Sequence, residues 1–124
     1  MRLLLDTHVL IWFPTADPRL SAAARQAIEN PSNEIFVSAV TAFELTDLQG
    51  RERVAMKEDL TTIGEPLGLS IVDFPAEAWA LAATLPRIHR DPVDRMMVAH
   101  AVVGGFTLVT ADRNVHRYPV PTLW

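Results

Sequence analysis

The sequence contains no cysteine. This absence excludes disulfide bonds, thiolate nucleophiles and cysteine zinc sites, so any metal ion must be held by oxygen or imidazole ligands. Long apolar runs are also missing, because Asp6, Pro14, His100 and Gly104 interrupt the apolar stretches. A membrane helix needs about 20 apolar residues, and no signal peptide is recognisable at the N-terminus. We therefore expect a cytoplasmic protein without a membrane anchor.

Positive charge is in short supply, with 11 lysines and arginines against 15 acidic residues and a net charge of −4. A broad basic surface for nucleic acid is therefore not expected. Binding of a polyanion remains compatible with this charge if several acids gather around bound cations. Because 49% of the 124 residues are apolar, the composition excludes a disordered chain and predicts one globular domain over residues 1–124.

Short apolar segments alternate with helical patterns along the chain. Ser21 and Asp91 are predicted helix caps, and Pro92 follows Asp91 at the first helical position. The alternation predicts an α/β fold in which a central, mostly parallel sheet is flanked by helices on both faces. The predicted strands are residues 2–5, 35–38, 70–74, 106–109 and an edge strand at 120–123; the predicted helices are 9–13, 22–29, 40–49, 75–85 and 92–103, with a partly helical segment at 51–68.

Four acidic residues follow strands or begin adjacent helices: Asp6, Glu44, Asp94 and Asp112. In an open parallel sheet, sites form at the carboxyl ends of the strands, so residues distant in sequence converge there. Crowded carboxylates repel one another unless a cation lies between them. Mg²⁺ or Mn²⁺, which prefer oxygen ligands, are the expected cofactors, and this chemistry suits phosphodiester hydrolysis by a metal-activated water. Thr110 is expected to orient a carboxylate, a water or a phosphate in this catalytic set.

A family resemblance rests on the segments that carry these acids. Together they resemble the PIN-domain ribonucleases, specifically the VapC toxins of prokaryotic toxin–antitoxin pairs, and the likeness extends from Met1 to Trp124. The resemblance implies a PIN-like fold, a four-acid Mg²⁺ or Mn²⁺ site, endonucleolytic cleavage of RNA, a homodimer, and inhibition by a VapB antitoxin. The segments are LLDTH at residues 4–8, SAVTAFEL at 38–45, HRDPVDR at 89–95 and LVTADR at 108–113.

Other residues near the acids allow two interpretations each. Thr7, Arg95 and Arg113 are candidates for substrate contact. A threonine hydroxyl can instead bond local backbone, and an arginine can instead pair with the acidic pocket. Within the segment Asp91 to Asp94, we assign Asp91 to the helix cap and Asp94 to the metal. The four histidines do not share a zinc spacing and receive no ligand role.

Three functions compete on these residues. The first is the metal-dependent endoribonuclease. A phosphatase with an aspartyl nucleophile also begins with a strand and an aspartate, but it would need a second acid where this chain has His8. The third is a non-catalytic, metal-stabilised RNA- or protein-binding module of the same fold. A costly cluster of four acids is not needed for binding alone, which favours the enzyme.

Overall fold

A computed structural model describes all residues, 1–124, and contains five β-strands and six α-helices. The strands are β1 (Arg2–Leu5), β2 (Glu34–Ser38), β3 (Ser70–Val72), β4 (Thr107–Val109) and β5 (Thr122–Leu123). The α-helices are α1 (Thr7–Trp12), α2 (Ala22–Glu29), α3 (Ala39–Gly50), α4 (Leu60–Gly64), α5 (Ala76–Thr84) and α6 (Pro92–Gly104). Short 3-10 helices span Glu65–Leu67 and Arg113–Arg117. No helix combines the length and the apolar character that crossing a bilayer requires.

The five strands form one sheet in the order β3-β2-β1-β4-β5, and every neighbouring pair is parallel. This confirms the predicted parallel α/β architecture. The central strand β1 is an uninterrupted leucine run because both of its faces are covered. Leu3 and Leu5 point into one core and Leu4 points into the other, as the two-residue repeat of a strand requires.

The two cores lie on opposite faces of the sheet. One is filled from α1, α2 and α4, through side chains such as Val9, Ile28 and Leu60. The other is filled mainly from α5 and α6, through side chains such as Ala78 and Val98. The chain therefore crosses from one face to the other between its first and second halves. The reversal of strand order lies at β1 and β4, which is where an open sheet leaves a crevice at its carboxyl edge.

Several element ends differ from the sequence prediction. Helix α1 begins at Thr7 instead of residue 9, because Asp6 caps it directly after β1. Strand β3 ends at Val72 instead of Phe74, whose ring lies edge-on against the His100 ring at 5.5 Å between centroids. The last strand covers only Thr122–Leu123 and lies at the predicted edge position. Its flanking prolines have no N–H to donate to a ladder.

Candidate active site

Asp6 lies where β1 passes into α1, at the carboxyl edge of the sheet. Its main-chain N–H donates to the Val109 carbonyl of β4 at 3.1 Å, so the two central strands hold its backbone. Its Oδ1 accepts a hydrogen bond from the Thr7 N–H at 2.7 Å, and its Oδ2 accepts one from the Thr110 hydroxyl at 2.8 Å. The helix-cap and functional interpretations of Asp6 are therefore compatible.

Thr110 and Asp112 lie directly after β4, beside Asp6. The buried Thr110 hydroxyl donates to Asp6 and accepts the Asp112 N–H at 3.1 Å. Asp112 Oδ1 accepts the Asn114 N–H at 2.9 Å and so caps the 3-10 helix Arg113–Arg117. The Thr110 hydroxyl therefore fixes the position of Asp112 relative to Asp6.

Asp94 lies in the first turn of α6, and Asp91 caps that helix by accepting the Val93 N–H at 2.8 Å. The predicted cap is confirmed. Burial raises the pKa of Asp94 from 3.8 to about 6, with further increases from the negative charges of Asp91, Asp6 and Asp112 that His89 partly offsets. This coupling indicates that acids from three parts of the sequence act on one another at the sheet edge.

Asp6, Asp94, Thr110 and Asp112 line one small pocket at the reversal of strand order. Apolar side chains of α6, β4 and the 3-10 helix complete its walls: Met97, Val98, Leu108 and Val115. The pocket is polar on the side of the acids and apolar on the other sides. The pocket brings together three of the four acids that the sequence places at this sheet edge: Asp6, Asp94 and Asp112.

Glu44 does not join this pocket. It lies half-buried on α3, six residues beyond Ser38, the cap of that helix, and it is absent from the pocket walls. Nor is Glu44 among the charged groups that raise the pKa of Asp94. Six residues of helix correspond to roughly 9 Å along its axis, which places Glu44 well beyond the strand end. Glu44 therefore does not line the pocket of the three aspartates, and its part in the site stays a prediction.

The pocket contains the oxygen ligands that a divalent ion prefers, but their present positions do not form a complete metal site. As the side chains stand, no three His, Asp or Glu residues are arranged to hold one ion together. In kind and charge the donors do fit, because three carboxylates and a hydroxyl face one pocket and no lysine or arginine pairs with any of them. Hard ions such as Mg²⁺ and Mn²⁺ take such oxygen ligands.

Two residues predicted to contact substrate are placed elsewhere. The Arg95 side chain is buried, and its guanidinium donates to the Pro86 carbonyl at 2.9 Å and to the Leu85 carbonyl at 3.0 Å. It also donates to the Ala82 carbonyl, so Arg95 binds the carboxyl end of α5 and does not line the acidic pocket. Thr7 is buried as well, and its hydroxyl has no hydrogen-bond partner. Neither side chain lines the pocket of the three aspartates, and substrate contact by Thr7 and Arg95 stays a prediction; Arg113 is exposed.

His89 and Tyr118 join the site without having been predicted from the sequence. His89 Nε2 lies 2.5 Å from Asp112 Oδ2, and His89 Nδ1 lies 2.9 Å from the Tyr118 hydroxyl. His89 begins the HRDPVDR segment, so a signal was present. The spacing of zinc ligands does not bear on a contact with a residue 23 positions away in the chain.

Known proteins resemble this chain in sequence and in fold. The family model described as PIN domain matches residues 3–121. Ribonuclease VapC22 of Mycobacterium tuberculosis is 38% identical over 127 residues, which cover 98% of this chain and 97% of that protein. The crystal structure of VapBC2 from Rickettsia felis bound to a DNA fragment from their promoter matches with a TM-score of 0.71 and 21% identity, covering 98% and 97% of the two chains.

A second solved structure is similar over almost the whole chain. It is the crystal structure of FitAcB from Neisseria gonorrhoeae, which matches with a TM-score of 0.61 and 20% identity, covering 97% of this chain and 95% of that one. At these low identities the two solved structures support only the fold. The family model and the 38% identical relative show the family to which the chain belongs. The chain belongs to the PIN-domain family, within the VapC group of VapBC toxin–antitoxin pairs.

Proposed function

We propose that this protein is a Mg²⁺- or Mn²⁺-dependent endoribonuclease that acts as the toxin of a VapBC-type pair in the cytoplasm. The observation that carries the proposal is the pocket shared by Asp6, Asp94, Thr110 and Asp112 at the reversal of strand order. The name of the 38% identical relative, a ribonuclease, supports the activity. A binding module would not need three mutually repelling carboxylates in one pocket.

In the proposed reaction, Asp6, Asp94 and Asp112 would hold the ion; Glu44 on α3, the fourth predicted acid, lies outside their pocket in this structure. When bound, the ion neutralises phosphate charge and activates water for attack on phosphorus. Thr110 holds the Asp6 carboxylate through its hydroxyl at 2.8 Å and fixes the backbone of Asp112. Apolar side chains wall the rest of the pocket, and their low polarity strengthens the electrostatic interactions of the carboxylates.

Unpaired arginines on the segments that flank Asp94 and Asp112 support an RNA substrate. Arg113 follows Asp112 directly, and Arg117 lies at the end of the same 3-10 helix. Arg87 and Arg90 line a cleft of about 250 Å³ on the loop before α6. All four are exposed and form no ion pair. Phosphates flanking the cleaved bond would bind these side chains, although the net charge of the chain is negative.

A groove beside the acids supports an antitoxin partner. It has a volume of about 640 Å³ and is lined by α1, the end of α3 and the following loop. His8, Ile11 and Trp12 of α1 form one wall, and Val54 and Ala55 lie on the loop side. Because Asp6 caps α1, the groove and the acidic pocket share that helix. A VapB-type antitoxin would place an apolar segment in the groove and an arginine among the acids.

A homodimer is the second proposed assembly. Large apolar side chains are exposed outside the groove, among them Phe43 on α3, Trp79 on α5 and Val103 on α6. Trp79 is 68% exposed, and further exposed apolar residues on the same helix are Ala76, Ala80 and Ala83. Exposed apolar surface of this kind is typical of protein interfaces. Sedimentation of the purified chain measures this directly, and Trp79→Glu is expected to shift the dimer toward monomer.

The experiment that tests the activity is cleavage of total cellular RNA by the purified protein, followed by mapping of the new ends. We expect discrete internal cuts with Mg²⁺ or Mn²⁺ and none with EDTA. Asp6→Asn, which keeps the size of the side chain, serves as the matched variant and is expected to cut nothing. A folded, metal-loaded protein that leaves RNA intact would favour the non-catalytic binding module.

A further inference from the structure

His89 connects two groups that the proposed metal site does not by itself explain. Its ring lies between the Asp112 carboxylate and the Tyr118 hydroxyl, 2.5 Å from Oδ2 on one side and 2.9 Å from the hydroxyl on the other. Asp112 caps the 3-10 helix Arg113–Arg117, and Tyr118 follows its last residue. One imidazole therefore contacts both residues that flank this helix.

The hydrogen bonds around Tyr118 favour one tautomer of the neutral His89 ring. The main-chain N–H of His89 donates to the Tyr118 hydroxyl oxygen at 3.0 Å. The hydroxyl proton is then free to point at Nδ1, which accepts it. With Nδ1 accepting, the neutral ring carries its proton on Nε2 and donates it to Asp112 Oδ2. This assignment follows from the hydrogen-bond network.

The same residues hold the ring rigidly. Tyr118 is buried in the core between the sheet and α5–α6, and the His89 and Tyr118 rings are stacked at 5.4 Å between centroids. The His89 side chain is itself only 10% exposed. Asp112 Oδ1 is already held by the Asn114 N–H, so the bond from His89 fixes the second oxygen as well. Each carboxylate oxygen keeps a further lone pair directed away from its protein donor.

We propose that His89 and Tyr118 are a positioning pair that orients the Asp112 carboxylate toward a divalent ion in the pocket. The proposal rests on the proposed function, since it assigns Asp112 to the ion. Hydrogen bonds from neighbouring residues orient carboxylate ligands, and their loss typically weakens metal affinity by about 10- to 100-fold. Neither residue touches the ion or the RNA; both act through Asp112.

The test is calorimetric titration of the metal-free protein with Mn²⁺ alone, with thermal melting of each variant as a second measurement. His89→Gln places an amide N–H₂ near the original Nε2, whereas His89→Asn places one near Nδ1, out of reach of Asp112. We expect at least tenfold weaker Mn²⁺ binding for His89→Asn and largely restored binding for His89→Gln. Tyr118→Phe is expected to weaken binding to an intermediate degree, because the hydroxyl that sets the tautomer is lost.

His116→Gln is the matched control, because His116 bonds Thr122 at the far end of the same 3-10 helix and contacts no acid. It should bind Mn²⁺ like the unaltered protein. A purely structural role for His89 would lower the melting temperature of both His89 variants and leave Mn²⁺ affinity unchanged, which would overturn the positioning role alone. Failure of the unaltered protein to bind Mn²⁺ would overturn the proposed metal site as well.

Discussion

The hydroxyl of Thr110 donates a hydrogen bond to Asp6 Oδ2 at 2.8 Å and joins residues that lie 104 positions apart in the chain. The bond crosses from the end of β4 to the end of β1, the two central strands of the sheet. The same oxygen accepts the Asp112 N–H. Thr110 therefore links the Asp6 carboxylate to the backbone of Asp112, and the Asp6 carboxylate cannot reorient without breaking this bond.

Thr110→Val removes this hydroxyl while keeping the shape of the side chain. The Asp112 N–H loses its acceptor, which costs about 1–2 kcal/mol of stability. Asp6 also loses its donor, so Mn²⁺ affinity and RNA cleavage should fall. Thr110→Ser keeps the hydroxyl and is expected to retain both. Equal Mn²⁺ affinity and cleavage in the two variants would show that the bond has no functional role.

Asp94→Asn tests the repulsion inside the pocket. Because the pKa of Asp94 is raised to about 6 from 3.8, the folded metal-free protein is penalised for its charge above that range, and the penalty disappears as the pH falls from about 6 through 3.8. The variant in EDTA at pH 8 should therefore be more stable by on the order of 1 kcal/mol, after allowance for solvent screening. Urea unfolding in EDTA measures this gain.

In Mn²⁺, Asp94→Asn should lose cleavage and most of the stabilisation that the ion provides. Asp91→Asn is the matched control on the same helix, because asparagine also caps helices. We expect it to keep cleavage and the response to Mn²⁺. The reverse pattern, with Asp91→Asn inactive and Asp94→Asn active, would contradict the division of roles between the two acids.

Arg95 and Arg113 are predicted to separate stability from RNA binding. Arg95→Met should lower the free energy of unfolding by about 2–4 kcal/mol, because three carbonyls at the end of α5 lose a buried donor. Arg113→Ala should leave stability unchanged and weaken RNA binding in a manner that depends on salt. Urea unfolding and RNA titration at two salt concentrations measure the two effects; RNA affinity unchanged in Arg113→Ala would remove this residue from the proposed RNA surface.

These two arginines show what sequence reasoning could resolve. The parallel sheet followed from the alternation of elements, and the pocket followed from acids placed after β1 and β4 and before α6. Arg95 directly follows Asp94 in sequence, but that adjacency could not reveal that its side chain points away from the acids, into the carboxyl end of α5. Side-chain direction depends on the packing of α5 against α6.

Side-chain contacts between residues distant in the chain also could not be predicted from the sequence. The bond from His89 to Asp112 joins two loops, and nothing in the spacing of the two residues predicts it. Glu44 shows the same limit, because its place after β2 predicted a position at the strand edge, whereas it lies on α3 and does not line the pocket. Motifs therefore identified which residue types matter, and only the packed structure showed which of them meet.

His100 provides a prediction about acid stability. Burial lowers the pKa of His100 from its ordinary 6.5, and its Nδ1 lies 2.9 Å from the Ser38 hydroxyl. The unfolded chain takes up the proton more readily than the folded protein, so stability is lost as the pH falls below about 6.5. Asp94 acts in the opposite direction over part of this range. In an Asp94→Asn background, His100→Gln should therefore flatten the loss of stability as the pH falls from neutral to mildly acidic; an unchanged pH slope in urea unfolding would contradict the assignment.

The antitoxin groove is tested with Ala55→Glu, which places a charge on an exposed groove position without disturbing the core. Co-expression of the neighbouring reading frame should relieve growth arrest caused by the unaltered chain and fail to relieve arrest caused by Ala55→Glu. Ala23→Glu, on the exposed face of α2, is the matched control and should still be relieved. Equal relief of both variants would place the partner outside the groove.

The central claim is that Asp6, Asp94 and Asp112 hold a divalent ion at the reversal of strand order. Anomalous X-ray scattering from a crystal of the protein grown with Mn²⁺ measures the position of the ion directly. We predict an anomalous peak within about 2.5 Å of carboxylate oxygens from at least two of these aspartates. Mn²⁺ bound only elsewhere in the protein, with the pocket free of any peak, would contradict the account.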